Sequence, residues 1–579
     1  MSSVRLGRPE LVKARRTGRS FLFCVFLFSI FVNLLMLTGP LFMLQVYDRV
    51  LSSRSEATLV ALFILVGALY ALMTMLDYAR GRVLARFGAR FQEALEERVF
   101  TAVLRRAVIP SERAAPATSL RDLETIQSTL ASPGFLALFD LPWAPIFFVA
   151  IFVFHPLLGW LGLAGGGVLI SLTLLNQVLT KSKVLESQSS AAKGQNLVDQ
   201  ARKSGEVIRT LGMSKVITQR WAAASKQTQD QTIRSSDVSG LFTAITKSFR
   251  MFLQSAMLAL GAYLALRGEV TPGAMIAGSI ILGRALAPIE QSLGQWPQLQ
   301  RSRAGWTALI ELLSTTPVEE THIGLPRPKA HLTVRNVNVL PPGAQRPTLI
   351  NISFDIKPGE AVGVIGPSGT GKSSLARALV GIWPPSSGEI RLGGAKLTQY
   401  DSDVLGSYLG YLPQDVSLLD GTVAENIARM STEPDEAEVV RAAKAAHAHD
   451  LVLSLPDGYN TVVEGGNIQL SGGQKQRLAL ARALYGDPEL MIFDEPNSAL
   501  DAEGSKALNF AVHEMKAKGK AIVIMTHRPG AISQCDQLIV LEGGKIMIKG
   551  PRDEVIRAMT SNAQAVQKSV DAGAKLNGT

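Results

Sequence analysis

From Ser20 to Tyr47 the chain carries no Asp, Glu, Lys, Arg or His, and from Ala57 to Leu76 it again carries none. Each run reaches or exceeds the ~20 residues a helix needs to cross the hydrocarbon core of a bilayer. Lipid leaves every backbone N–H and C=O to be satisfied within the protein, so each run reads as a transmembrane helix. Asp48, Arg49, Arg54 and Glu56 form the short loop between them. A third uncharged stretch, Leu141 to Thr180 with a break at His155-Pro156, fits two more spans joined by a tight external turn, the first starting near Pro133. Lys181 and Lys183 mark the return to the starting side.

Two further spans are needed to leave the rest of the chain inside, and both contain charge. Leu241 to Leu266 holds Lys247 and Arg250, and Val270 to Gln291 holds Arg284 and Glu290, with Arg267-Gly268-Glu269 as the outer hairpin. An ionisable group in the membrane is costly and is a functional hypothesis by default. Lys247 and Arg250 fit snorkelling at the inner end, whereas Arg284 sits deeper and is a candidate for a transport path. The expected transmembrane domain covers residues 20–314, with spans at about 20–47, 57–79, 133–155, 156–180, 241–266 and 270–291.

Charge agrees with this orientation. The net +11 comes from 59 Lys and Arg against 48 Asp and Glu, and much of the excess flanks apolar runs, as cytoplasmic loops require. No helix-turn-helix, zinc-finger or RNA-binding signature accompanies it, so nucleic acid is not the expected partner. Residues 1–19, with Arg5, Arg8, Lys13, Arg15, Arg16 and Arg19, read as a basic cytoplasmic arm rather than a cleavable signal. Cys24 and Cys535 are too few for a disulfide framework or a metal cluster. Past the second run, Leu84, Phe87, Phe91, Leu95 and Val99 make the apolar face of a basic cytoplasmic helix. Pro110 to Pro116 breaks it, and Leu120 to Glu124 is a short amphipathic piece expected to touch the soluble domain. Ala191 to Arg234 is polar and helical.

Thr315 to Pro328 is Pro-rich, so residues 315–330 are the expected linker to a soluble α/β domain at 331–559, ahead of a polar tail at 560–579 expected to be disordered. Leu332 to Val339 and Thr348 to Ile356 alternate as strands. Gly366-Pro367-Ser368-Gly369-Thr370-Gly371-Lys372-Ser373 lies between the apolar run Ala361 to Ile365 and a helix opening at Ser374. Glycines there let backbone N–H groups turn onto phosphate oxygens, and the helix N-terminus adds positive potential. Lys372 is placed for the terminal phosphates and Ser373 for Mg2+. A short strand ends at Gln414, a candidate for Mg2+ or water. Ser471-Gly472-Gly473-Gln474 opens a helix and repeats the anion-binding arrangement. The buried strand Leu490 to Phe493 ends in Asp494, suited to Mg2+ through water, and Glu495, suited to the attacking water. Ala521 to Met525 ends in Thr526-His527, where His527 can reach a terminal phosphate.

In this order the phosphate loop, Gln414, Leu470-Ser471-Gly472-Gly473-Gln474, Asp494-Glu495, Ser498-Ala499-Leu500-Asp501 and His527 resemble the ATP-binding cassette family. The resemblance implies ATP and Mg2+ as cofactors, Asp501 as part of the nucleotide site, and a homodimer in which Ser471 and Gly473 of one copy cap the γ-phosphate held by the other. Six spans ahead of one cassette are similar to a half-size exporter. Met43 to Val50 and Asp140-Leu141-Pro142-Trp143-Ala144-Pro145 resemble the permease-ATPases of bacterial type I secretion. That implies an inner-membrane protein with cytoplasmic termini and ATPase. It also implies a periplasmic adaptor (a membrane fusion protein), an outer-membrane duct and an unfolded polypeptide as secreted substrate. Export or flipping of a lipid or small amphiphile stays open beside it. Glu206 to Met213 stands where the family's second coupling helix would be, and no peptidase-like domain is expected ahead of the first span. Two positions depart from the family. Val339-Leu340-Pro341-Pro342 stands where an aromatic usually stacks on adenine, so looser base selectivity is expected. Val463-Glu464-Gly465 keeps only part of a Gly-Glu-Gly that precedes the signature.

Overall fold

The computed structural model describes residues 7–107, 119–318, 324–463, 470–498, 500 and 502–559. Arg5, Pro110 to Pro116, Glu464, Gly465, Ala499, Asp501, residues 319–323 of the linker and the 560–579 tail lie outside them. The chain forms two compact units, one running to Val318 and one beyond it.

The first unit is helical throughout. Helix α1 (Gly7–Thr17) is followed by α2 (Arg19–Leu35), α3 (Thr38–Gln45), a π-helical turn Val46–Val50 and α4 (Leu51–Ser53). Arg54 then takes a left-handed φ of 50° and reverses the chain. Helix α5 (Glu56–Ala107) is 52 residues long, about 78 Å at 1.5 Å per residue, so it outruns any bilayer. Next come α6 (Ser119–Leu130), α7 (Pro133–Asp140), α8 (Ala144–Phe154), α9 (Pro156–Lys203), α10 (Gly205–Thr210), α11 (Ser214–Leu266), α12 (Pro272–Gly294) and α13 (Trp296–Thr315). Among the described residues, six helical segments are long and apolar enough to cross a membrane: Arg19–Ser53, Glu56–Ala107, Pro133–Phe154, Pro156–Thr180, Ser214–Leu266 and Pro272–Ser292. The break at His155 is an extended residue whose Nδ1 accepts the Leu157 N–H, which opens α9 at Pro156.

Leu84, Phe87, Phe91, Leu95 and Val99 are all buried, against Leu11 of α1, Leu123 and Ile126 of α6, and Leu309, Leu312 and Leu313 of α13 for the lower part of that face. The Leu120 to Glu124 piece is thus part of α6, with Leu123 buried inside this unit. Helix α10 behaves differently, since Val207 and the following Leu211 and Met213 are exposed.

The two segments that resembled secretion permeases both pin helices. Asp48 accepts from Thr271 Oγ1 (2.7 Å) and from the Gly273 N–H (2.9 Å), which caps the first turn of α12. Asp140, at the end of α7, accepts from Arg80 Nη1 of α5 (2.6 Å) and from Asn33 Nδ2 of α2 (2.8 Å). Arg80 also reaches Ser29 Oγ and Asp77, and is 4% exposed. Of the charges in the last two spans, Arg250 pairs with Glu290 at 3.0 Å, joining α11 to α12. Lys247 is exposed, and Arg284 is an exposed residue on a stretch of α12 whose neighbours are buried.

The second unit is an α/β domain with two larger sheets. Its strands are β1 (Leu332–Val339), β2 (Leu349–Ile356), β3 (Ala361–Ile365), β4 (Ser387–Leu392), β5 (Ala395–Lys396), β6 (Leu409–Leu412), β7 (Gly421–Thr422), β8 (Val462–Val463), β9 (Leu490–Asp494), β10 (Ala521–Thr526), β11 (Gln537–Glu542) and β12 (Lys545–Pro551). A four-stranded antiparallel sheet runs β2-β1-β4-β5, and a six-stranded sheet runs β12-β11-β3-β10-β9-β6. From β11 to β6 the second sheet is parallel. Its central strands β9 and β10 are buried at every position, as a sheet covered on both faces requires. The helices that matter to the site are α14 (Lys372–Leu379) and, further on, α15 (Ser402–Tyr408), α16 (Val423–Ile427), α17 (Glu436–Ala445), α18 (His449–Leu453), α19 (Gly472–Leu484) and α20 (Ala502–Ala517). Helix α14 buries Leu375, Ala376 and Leu379 between the two sheets.

Candidate functional site: a phosphate loop facing two carboxylates

The parallel register brings the site together. Ile365 pairs with Thr526, Met525 with Asp494, and Phe493 with Leu412. The residues that follow these strand ends, Gly366, His527, Glu495 and Gln414, therefore emerge along one carboxyl edge of the sheet, where open α/β sheets bind ligands.

The phosphate loop is shaped by its glycines. Gly371 has φ +102°, and a Cβ there would lie 2.8 Å from Leu349 Cδ2. A Cβ on Gly366 would collide with the Leu541 carbonyl oxygen. Neither position accepts a side chain, so the backbone is drawn tight against β2 and β11 and turns into α14. Lys372 is 5% exposed, and its Nζ donates to the carbonyls of Gly366 (2.7 Å) and Pro367 (2.8 Å). Ser373 and Ser374 stand in the first turn of α14, whose N–H groups have no partner within the helix. Thr370 Oγ1 ties the loop to the Pro367 carbonyl at 2.9 Å, leaving Ser368 and Gly369 at the turn.

Asp494 is 2% exposed, with Oδ1 buried and without a hydrogen bond in the chain. Burial pushes its carboxyl above the usual range, against the hydrogen bond from Ser373, and the charge of Glu495 adds to the rise. An anionic oxygen left buried and unbonded beside a serine hydroxyl is the donor set of a hard divalent cation. Glu495 takes a left-handed φ of 51°, held there by its N–H donating to the Met525 carbonyl at 2.8 Å. Its two oxygens are bracketed, Oε2 accepting from Gln414 Nε2 and Oε1 facing His527 Nδ1, each at 3.3 Å.

The signature residues open α19. Ser471 Oγ accepts the Gln474 N–H (3.2 Å), and Gln474 Oε1 accepts the Ser471 N–H (2.8 Å). This capping box satisfies both side chains locally and leaves Gly472 and Gly473 as a bare helix start. Sequence reasoning missed Gln476, which is buried and whose amide donates to the Pro496 carbonyl just past Glu495. A polar residue on the otherwise apolar inner face of α19 was the available signal.

A phosphate loop, two carboxylates and a signature-type helix on this α/β sheet, joined to a six-span helical unit, define an ATP-driven transporter. The profile described as ABC transporter matches residues 349–498, and the profile described as ABC transporter transmembrane region matches residues 22–286. The chain belongs to the ABC transporter family, and its second unit is an ATPase coupled to transport. It is similar to the type I secretion system ATP-binding protein PrsD of Rhizobium meliloti (strain 1021), with 43% identity over 91% of each chain. It is also similar to the alpha-hemolysin translocation ATP-binding protein HlyB of Escherichia coli, with 28% identity over 95% of this chain and 77% of that one. A solved bacterial Atm1-family ABC exporter with ATP bound has the same fold, with TM-score 0.80 and 22% identity over 95% of this chain and 98% of that one.

Proposed function

We propose that this chain is the inner-membrane permease and ATPase of a type I secretion machine, and that it exports an unfolded polypeptide as a homodimer. The observation that carries the reading is the 43% identity to PrsD across 91% of both chains, spans included. Each copy supplies one phosphate loop and one signature helix. In the proposed dimer the loop from Gly366 to Ser373 holds the phosphates, and the partner's Ser471 and the partner's Gly473 cap them. Asp501 adds to that nucleotide site. A periplasmic adaptor and an outer-membrane duct would complete the route out.

At each site Lys372 neutralises terminal phosphate charge, and Glu495 takes a proton from the attacking water. Gln414 and His527 act by fixing the Glu495 carboxylate, one on each oxygen, so its basic lone pairs have one orientation. Ser373 and Asp494, with Gln414 close by, fit Mg2+, which when bound offsets charge on the β- and γ-phosphates. Nucleotide-driven closure and reopening would bias the spans between inward-open and outward-facing forms, with the exposed α10 as a transmitting element.

The test compares polypeptides released into the medium by cells that carry the wild-type chain or Glu495→Gln as their sole copy. Specific polypeptides should leave the medium and accumulate inside the Glu495→Gln cells. An unchanged protein profile with altered surface lipids would replace this reading with lipid export.

A further inference from the structure

We propose that Arg284 is a carboxylate-binding station on the export path, and that this exporter therefore passes acidic polypeptide segments in preference to basic ones. The inference deepens the reading of the chain as a polypeptide exporter and rests on it. Arg284 belongs to α12, which packs against α3, α7, α8, α9 and α11. Its span is the most buried of the six, at 61% against 39% or less. The more open side carries Ile276, Ile280, Arg284, Ala287 and Gln291. They recur every three or four residues and fall within about 80° of one another at 3.6 residues per turn. Arg284 is the charge in that strip. It lies about 18 Å along the axis from Pro272 and about 12 Å from Ser292 at 1.5 Å per residue, near mid-span.

That strip is not built for lipid. Lipid-type faces are apolar, as on α5, which exposes Phe63, Ile64 and Leu65, and on α9, which exposes Leu174 and Val178. Among the described residues α12 exposes Arg284 and Gln291 but no large apolar side chain. A guanidinium at this depth faces a bundle interior or a water-filled path. Nor is its charge matched within the chain. Arg80 holds Asp77 and Asp140, Arg250 holds Glu290, and Asp48 caps α12. Arg284 has no hydrogen bond or ion pair with any described residue. A second copy would bring the same inventory, so a dimer adds another Arg284 and, among the described residues, no free carboxylate at that depth. What remains is the solvent of the path and whatever moves through it. Guanidinium and carboxylate form charge-assisted N–H···O bonds, and Arg or Lys lining a pore selects anions by the same means. An unfolded polypeptide supplies such carboxylates as Asp and Glu side chains. Its Lys and Arg would meet like charge where water screens it less than in bulk.

The experiment uses cells in which the wild-type, Arg284→Glu or Arg284→Lys chain is the sole copy, at matched levels in the membrane. Cargo is defined as the polypeptides lost from the medium when Glu495→Gln replaces the wild type. Arg284→Glu should lower cargo release about tenfold or more, since like charges are then set face to face. Arg284→Lys should stay within about threefold of wild type, because a moving chain offers no fixed bidentate geometry and a point charge suffices. A cargo whose inner stretch has Asp and Glu replaced by Lys should reverse the order, leaving poorly through wild type and better through Arg284→Glu. A misfolded variant cannot produce that reversal. Equal release of native cargo by wild type and Arg284→Glu would overturn the proposal, as would an Arg284→Glu chain that releases neither cargo. If the Glu495→Gln cells lose no polypeptide from the medium, the exporter reading itself falls, and this inference with it.

Discussion

Asp494 shows how a single residue can be costly to the fold and necessary to the chemistry. Its carboxyl is buried, one oxygen lacks a partner, and burial holds its proton affinity above the ordinary value. For an acid raised in this way, the folded state binds the proton more tightly than the unfolded chain. The penalty is therefore absent below the unfolded value and complete once pH exceeds the raised folded value. At pH 7.5 with chelator, Asp494→Asn should melt higher than wild type, by about 2–4 °C for each kcal/mol relieved. That advantage should shrink as pH falls toward the raised value, which a thermal-shift series on the purified full chain would record. The same substitution should lower Mg2+-dependent hydrolysis about 10- to 100-fold, as loss of a group orienting a metal shell does. A variant that melts below wild type at pH 7.5 would remove the cation seat from this account. Much of the residue-level chemistry is legible in the sequence, because motif spacing and strand ends put Gln414, Asp494, Glu495 and His527 on one edge. The left-handed φ of Glu495 is not legible, since it arises from its N–H bonding to the Met525 carbonyl, 30 residues further along the chain.

At the scale of elements, uncharged runs report the solvent around a helix and not its hydrogen bonds, so they mark spans better than helix ends. Helix α5 continues to Ala107 with no break where polarity returns at Asp77, and only the apolar stripe from Leu84 to Val99 betrays that extension. Packing partners are less visible still. Leu120 to Glu124 carries an amphipathic pattern that names no partner for its apolar side, and the structure places Leu123 against α5 and α13. The Arg80–Asp140 pair spans 60 residues and leaves no local pattern. Its energetics follow from burial. Removing one member of a buried ion pair strands the other, at a cost of about 3–5 kcal/mol, whereas replacing both with apolar residues of similar volume is often neutral. Asp140→Ala should therefore lower the melting temperature by roughly 6 °C or more. The Arg80→Met, Asp140→Leu double variant should recover most of that loss, even though Asn33 would lose its acceptor. Thermal unfolding of both variants in the same detergent decides the matter, and a single variant as stable as wild type would show that the pair is incidental.

For the whole molecule, the decisive feature is that Ser471 and Gln474 satisfy each other at the start of α19 while Lys372 and Asp494 lie on the sheet edge. If two copies share each site, a phosphate loop in one chain works with a signature helix in the other, and function depends on which chain carries which defect. Consider differently tagged chains, purified as mixed dimers. Where one chain bears Lys372→Ala and the other Ser471→Arg, one of the two sites keeps an intact loop and an intact signature. Where one chain bears both changes and the other is wild type, each site has lost one half. The first arrangement should thus retain up to about half of wild-type hydrolysis if the sites act independently, and the second almost none. Sites built within single chains demand the reverse, because the wild-type chain of the second arrangement would keep a complete site. Hydrolysis by the two mixed dimers thus distinguishes a shared site from a private one without any knowledge of the cargo, and an active second arrangement would overturn the homodimer mechanism.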